Sequence, residues 1–174
     1  MKTTVLRSAA ILAASLAFAG SVPAQESANR VAATTDWNVF VEESPKECWG
    51  VAAPKKTVNT KDGKEVQVRR SDILLFVTFR PGKPGEVMFM GGYPFAPGSP
   101  VEVDVSTGTK LQLFTNGEGA WAGTPEDDAK VIAALKAGAE VTLTGRSARG
   151  TKTQDTFSLM GFTAAMEEAA KRCK

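Results

Sequence analysis

The chain has 174 residues, with 21 basic and 19 acidic side chains, two cysteines and no histidine. Without an imidazole to take and return a proton near neutral pH, Ser-His-Asp and Cys-His catalysis are excluded. Two thiols are also fewer ligands than most zinc sites draw on.

The first 24 residues have the layout of a secretory signal. Lys2 and Arg7 form a positive start, and Ala9 to Gly20 form an apolar run shorter than the about 20 residues a bilayer span needs. Val22-Pro23-Ala24 then offers small residues where signal peptidase reads them, so cleavage is expected after Ala24 rather than retention as an anchor. No later segment has the length and apolarity to span a membrane. The expectation is a soluble protein of the periplasm or cell envelope. Removing Lys2 and Arg7 leaves 19 bases against 19 acids. A domain so balanced has no general attraction for nucleic acid or anionic lipid. The remaining chain of about 150 residues suffices for one domain with its own core.

Residues 25–35 carry little apolar content and read as a flexible leader. Strand patterning starts at Trp37, where Trp37, Val39 and Val41 share a face, and continues through CWGVAA to Pro54. Asp62-Gly63 predicts a hairpin turn, with Val66 and Val68 resuming the alternation. SDILLFVTF is a continuous apolar run, read as a central strand buried on both faces. EVMFM follows the PGKPG break, and GGYPFAPGSP reads as a loop. VEVDV turns Val101, Val103 and Val105 inward, and KLQLF pairs Leu111 with Leu113. TPEDDAKVIAALKAG predicts a helix capped by Thr124, with Pro125 at its first position, Lys136 near its end and Gly138 closing it. Its apolar side is Val131, Ile132 and Leu135. VTLTG and TFSLMGF complete the strands, and a short helix, TAAMEEAAKRC, carries Cys173. Strands at this spacing argue for a single mainly-β sandwich with two packed helices over residues 36–174.

Few groups carry chemistry. In an oxidising compartment Cys48 and Cys173 read as a disulfide, worth about 4–5 kcal/mol on the chain-entropy model. The alternative is a reactive thiol or an intermolecular link. Arg69 and Arg70, with Arg80 beyond the apolar strand, could grip a carboxylate or phosphate bidentately. Equally, they are charged flanks that shield that strand and pair with nearby acids. Tyr93 and Phe95 either anchor a contact surface or fold back to cap one end of the sandwich, and Trp121 meets the same alternatives. Glu126, Asp127 and Asp128 are accounted for by the helix amino terminus. Glu167 and Glu168 lie on the exposed side of the last helix. No GxSxG, SxxK, phosphate-binding or calcium-binding loop occurs. No catalytic set, metal or cofactor is expected. A periplasmic hydrolase working without histidine remains the alternative, and it requires a deep pocket of converging acids, lysines or hydroxyls. An outer-membrane barrel is excluded by the short strands and the charged, helical end Arg172-Cys173-Lys174.

The runs CWGVAAPKKTVNTKDGKEVQVRRSDILLFVTFRPG, FMGGYPFAPGS, WAGTPEDDAKVIAALKAG and DTFSLMGFTAAMEEAAKRC together resemble the invasion-associated locus B family of alphaproteobacterial envelope proteins. GGYPF and FSLMGFTAA are the most specific segments. The resemblance covers Trp37 to Lys174 and implies an immunoglobulin-like β-sandwich in an exported protein. Some members in pathogens are implicated in entry into host red cells, and no catalytic residue set defines the family. The expected function is therefore binding of an envelope or host-surface partner. Tyr93, Phe95, Arg69 and Arg70 are the first candidate contacts.

Overall fold

The structure, a computed structural model, describes residues 29–174. The expected signal and its cleavage point lie outside the described residues. The strands are β1 (Arg30–Thr34), β2 (Trp37–Glu43), β3 (Lys46–Ala52), β4 (Lys56–Lys61), β5 (Lys64–Glu65) and β6 (Leu74–Phe79). They continue as β7 (Glu86–Met90), β8 (Val101–Val105), β9 (Lys110–Asn116), β10 (Gly119–Trp121), β11 (Glu140–Arg146) and β12 (Lys152–Ser158). Helix α1 (Pro125–Ala137) separates β10 from β11, and α2 (Phe162–Arg172) follows β12.

All strand pairs are antiparallel, in the order β1-β2-β3-β6-β7-β10-β9-β8-β11-β12-β4-β5. Strand β9 is where the sheet folds over. Its first half pairs with β8, whereas Phe114 to Asn116 pair with β10. The two halves form the layers of a mainly-β sandwich, open at β1 and β5. Alternation sets the inner faces. Val101, Val103 and Val105 are buried while Glu102 and Asp104 between them are exposed. Phe89 of β7 meets Phe157 of β12 edge-on across the interior, with ring centroids 6.1 Å apart.

Helix α1 follows its sequence signals closely. The Thr124 hydroxyl accepts from the Asp127 amide at 3.2 Å, Pro125 opens the helix, and Val131 and Leu135 enter the core. Gly138 does close it, but in extended rather than left-handed conformation. Its need for glycine is close packing, because a Cβ there would collide with Val105. Helix α2 lies on the inner face of β1, β2, β3 and β6. Ala165 brings it close to Gly50 of β3, where an added Cβ would collide with Met166. Trp37 packs edge-on to Phe162 at 4.9 Å and donates from Nε1 to the Ser158 carbonyl. The Cys48–Cys173 disulfide then fastens β3 to the end of α2 across 125 residues of chain.

Several sequence expectations change. Arg30–Thr34, read as part of a leader, is an edge strand. Backbone pairing to β2 and a hydrogen bond from Thr34 Oγ1 to the Gly161 carbonyl hold it despite its weak apolar content. The second arm of the Asp62-Gly63 hairpin stops at Glu65, so Val66 and Val68 lie outside any strand. Residues 159–161 leave β12 and turn into α2, ending the expected TFSLMGF strand at Ser158. The apolar run at β6 is central but covered on one face only. Leu75 and Val77 are buried, while Leu74 and Phe76 stay partly exposed on the outer face.

Replacing Cys48 and Cys173 with serine is expected to lower unfolding stability by about 2–5 kcal/mol, the usual range for loss of a native disulfide. Urea denaturation of the oxidised protein against the variant checks this, and reductant should bring the wild type to the variant's midpoint. Burial also pushes the Asp128 carboxyl above its usual range, although the Val87 amide donates to it at 2.7 Å. A raised folded-state value favours folding at low pH and opposes it once the carboxyl ionises. Asp128→Asn, which keeps the acceptor for Val87, should therefore raise the thermal midpoint at neutral pH. Below about pH 3, where the carboxyl is protonated in both states, the gain should vanish.

Candidate functional site

One end of the sandwich is built by the segment before β6, the GGYPF turn after β7, and the Ser147–Gly150 turn between β11 and β12. Gly92 has φ +71°, and a Cβ there would stand 2.6 Å from the Ser71 carbonyl oxygen. Glycine therefore lets the turn lie against residue 71, whose amide donates to the Gly92 carbonyl at 3.1 Å. The turn drives Phe95 inward, to 6% exposure against Phe89, with Tyr93 edge-on to it at 4.9 Å. The Tyr93 hydroxyl shares a hydrogen bond of 2.6 Å with Thr153 Oγ1. Burial raises the phenol pKa, against the lowering effect of that hydrogen bond.

Beneath Tyr93 lies Arg70. Its guanidinium is bidentate to Asp155 of β12, at 2.8 Å from Nη1 to Oδ1 and 2.6 Å from Nη2 to Oδ2. Nε and Nη2 both donate to the Gly91 carbonyl, at 2.9 and 2.6 Å, and Nη1 also donates to Asn59 Oδ1 at 3.3 Å. Those contacts engage all five donors of the fork. Thr57 Oγ1 completes the Asp155 shell at 2.9 Å, and the Tyr93 ring covers the guanidinium at 4.9 Å. The side chains of Arg70 and Asp155 are 5% and 0% exposed.

Above this layer opens a cleft of about 520 Å³, lined among others by Val68, Arg69, Tyr93, Pro94, Glu118 and Arg149. Arg69 and Arg149 are exposed and make no ion pair or hydrogen bond to other described residues. Arg70, Arg80 and Arg172, by contrast, are each paired with carboxylates. Val68 is an exposed large apolar side chain at the rim.

Two other surfaces stand apart from the cleft. A larger concavity, about 820 Å³, is the polar outer face of β8, β9, β11 and β12, with Glu102, Asp104, Thr142, Thr144 and Gln154 along it. It is a strand surface without convergent cations. On the opposite layer Val51, Phe76, Met88, Trp121 and Phe114 fall in one cross-strand row. Phe114 stacks on Trp121 there, at 5.8 Å between centroids. Among the described residues no three His, Cys, Asp or Glu side chains gather as metal ligands, and no helix is long and apolar enough to cross a membrane.

The four residues singled out in the sequence thus do meet at one end of the fold, in different positions. Arg69 and Tyr93 line the cleft, Arg70 forms its floor with every donor engaged internally, and Phe95 lies in the core behind it. The family model for the invasion-associated locus B (IalB) protein matches residues 37–170. The chain belongs to the invasion-associated locus B family. No curated protein and no solved structure matches it. The IalB match takes in Cys48, Arg69, Tyr93 and Arg149, and stops before Cys173. Sequence reasoning had not singled out Asp155, Asn59 or Arg149. Asp155 alternates with Thr153 and Phe157 in an inward row, and an acid on an apolar-facing register was the available signal of a buried pair. Arg149, alone in an Ala-Arg-Gly turn, carried no local signal.

Arg70→Met should destabilise the protein by about 3–5 kcal/mol, because it strands Asp155 in the interior. Adding Asp155→Asn should recover a large part of that loss. Urea denaturation of the wild type and the three variants forms the double-mutant cycle that checks it.

Proposed function

We propose that this member of the invasion-associated locus B family is exported and non-enzymatic, and that it acts by binding an envelope or host-surface protein through the Arg69–Tyr93–Arg149 cleft. The observation that carries the reading is that Arg69 and Arg149, neither paired with another described residue, line one cleft over an internally satisfied floor. An exposed guanidinium with no internal partner is available for recognition, and arginine and tyrosine are frequent interface anchors. Tyr93 offers the cleft a ring face fixed by its hydroxyl bond to Thr153. Arg70 and Phe95 support the surface from below.

A family description that names no reaction supports the non-enzymatic part. So does the cleft's chemistry. It brings one carboxylate, Glu118, beside arginines, and the Asp155 carboxylate is locked on Arg70. Hydrolysis without histidine would need an acid and a base free to exchange protons. The apolar run and cleavage pattern of residues 1–24 support export, and an oxidising destination suits the single disulfide.

Arg69→Glu/Arg149→Glu tests the reading. Both side chains are exposed and unpaired among the described residues, so the unfolding free energy should stay within about 0.5 kcal/mol of wild type. In pull-downs from the native envelope fraction, a partner retained by the oxidised wild type should be lost from the double variant. Equal retention by both proteins would remove the cleft from the binding surface.

A further inference from the structure

Resting on that binding reading, we infer that the cleft recognises an oxyanion, a carboxylate or phosphate ester, carried on a small apolar body. The charge balance of the walls gives the sign. Arg70 is neutralised by its bidentate pair with Asp155, which leaves Arg69 and Arg149 against the single carboxylate of Glu118. An excess of cation at a concave surface focuses potential outward and attracts anions. The residue type gives the class. Two guanidiniums present planar forks of N–H donors, which match the paired oxygens of carboxylate and phosphate rather than a halide or a neutral carbonyl.

The rest of the lining gives the attached body. Val68 is 40% exposed at the rim, and Tyr93 and Pro94 add apolar surface on the wall between the arginines and the core. A bare ion would leave that surface wet, whereas an aryl or alkyl group bearing the anion would cover it. The floor also reduces reorganisation. Tyr93 is held by Thr153, Phe95 and the Arg70 guanidinium, so its ring needs no ordering when a ligand arrives. Arg69 lies on the crossover from β5 to β6, and Arg149 on the turn between β11 and β12.

The experiment is an amide-resolved NMR titration of the oxidised protein with phenyl phosphate, benzoate, inorganic phosphate and neutral phenol. Phenyl phosphate, benzoate or both should shift the amides of Val68, Arg69, Tyr93 and Arg149. Each anion that binds should do so more tightly than phenol, and its affinity should fall as salt rises. Which of the two binds identifies the oxyanion. Inorganic phosphate should bind more weakly than phenyl phosphate. The Arg69→Ala/Arg149→Ala variant should weaken the effective anion about tenfold or more, the loss expected when charge-assisted hydrogen bonds are removed. The inference is overturned if phenol binds as well as the anions, if the variant binds unchanged, or if the shifts fall elsewhere. It is also overturned if phenyl phosphate binds but no more tightly than inorganic phosphate, because the apolar body then contributes nothing. Loss of the envelope partner from the glutamate variant, with no anion effect in the titration, would discard the ligand class and keep the cleft as a binding surface. Failure of both experiments would discard the cleft itself.

Discussion

The Arg70–Asp155 pair is the constraint on which the end of the sandwich depends. A guanidinium and a carboxylate removed from water each lose several kcal/mol of solvation, which their attraction offsets only when geometry and remaining hydrogen bonds are good. Here all five guanidinium donors are engaged, and the carboxylate accepts from Thr57 as well. The partners come from both layers. Gly91 follows β7, whereas Asn59 and Asp155 belong to β4 and β12. Whole pairs of this kind exchanged for apolar residues are often neutral or better for stability, so the contribution lies in geometry. The fork admits one register between the layers, and it sets the height at which Tyr93 lies.

A second constraint acts at the other side of the molecule. There α2 packs against β1, β2, β3 and β6, and the Cys48–Cys173 bond keeps that cover in place. The two devices differ in kind. The disulfide works chiefly on the unfolded chain by shortening its accessible loop. The ion pair works on the folded chain by penalising every arrangement that leaves a charge stranded. A sandwich open at β1 and β5 has no ring closure to fix its layers, so both devices supply what a barrel obtains from its hydrogen-bond circuit.

Most of the fold was legible in local pattern. Alternation at Val101–Val105 and the Thr124-Pro125 start of α1 each depend on neighbours in sequence, and each appears where expected. What failed depends on distant partners. Arg30–Thr34 is a strand because β2 lies beside it. The β6 run suggested burial on both faces, yet composition cannot say whether an apolar outer row will be covered, and Phe76 stays partly exposed. The same limit applies to the cleft. Arg69 and Tyr93 were visible as residue types with two readings each, and adjacent Arg69 and Arg70 looked equivalent. They differ only because the chain turns one toward Asp155, 85 residues away, and leaves the other in water.

On the proposed binding reading, that divergence between neighbours lets one short basic segment serve both structure and recognition. An arginine that must hold two layers together cannot also release its donors to a ligand without stranding Asp155. An arginine that binds a ligand gains from having no internal partner to give up. Separating the roles onto Arg70 and Arg69 lets the floor stay fixed while the rim remains available. Arg149 adds a second positive charge from the turn between β11 and β12, closed by Gly150 at φ +85°. Because the paired arginine is buried and the other two are exposed, added salt should screen the rim charges and barely reach the floor. Weakened binding without unfolding is therefore the salt response that distinguishes a recognition surface from a structural ion-pair network.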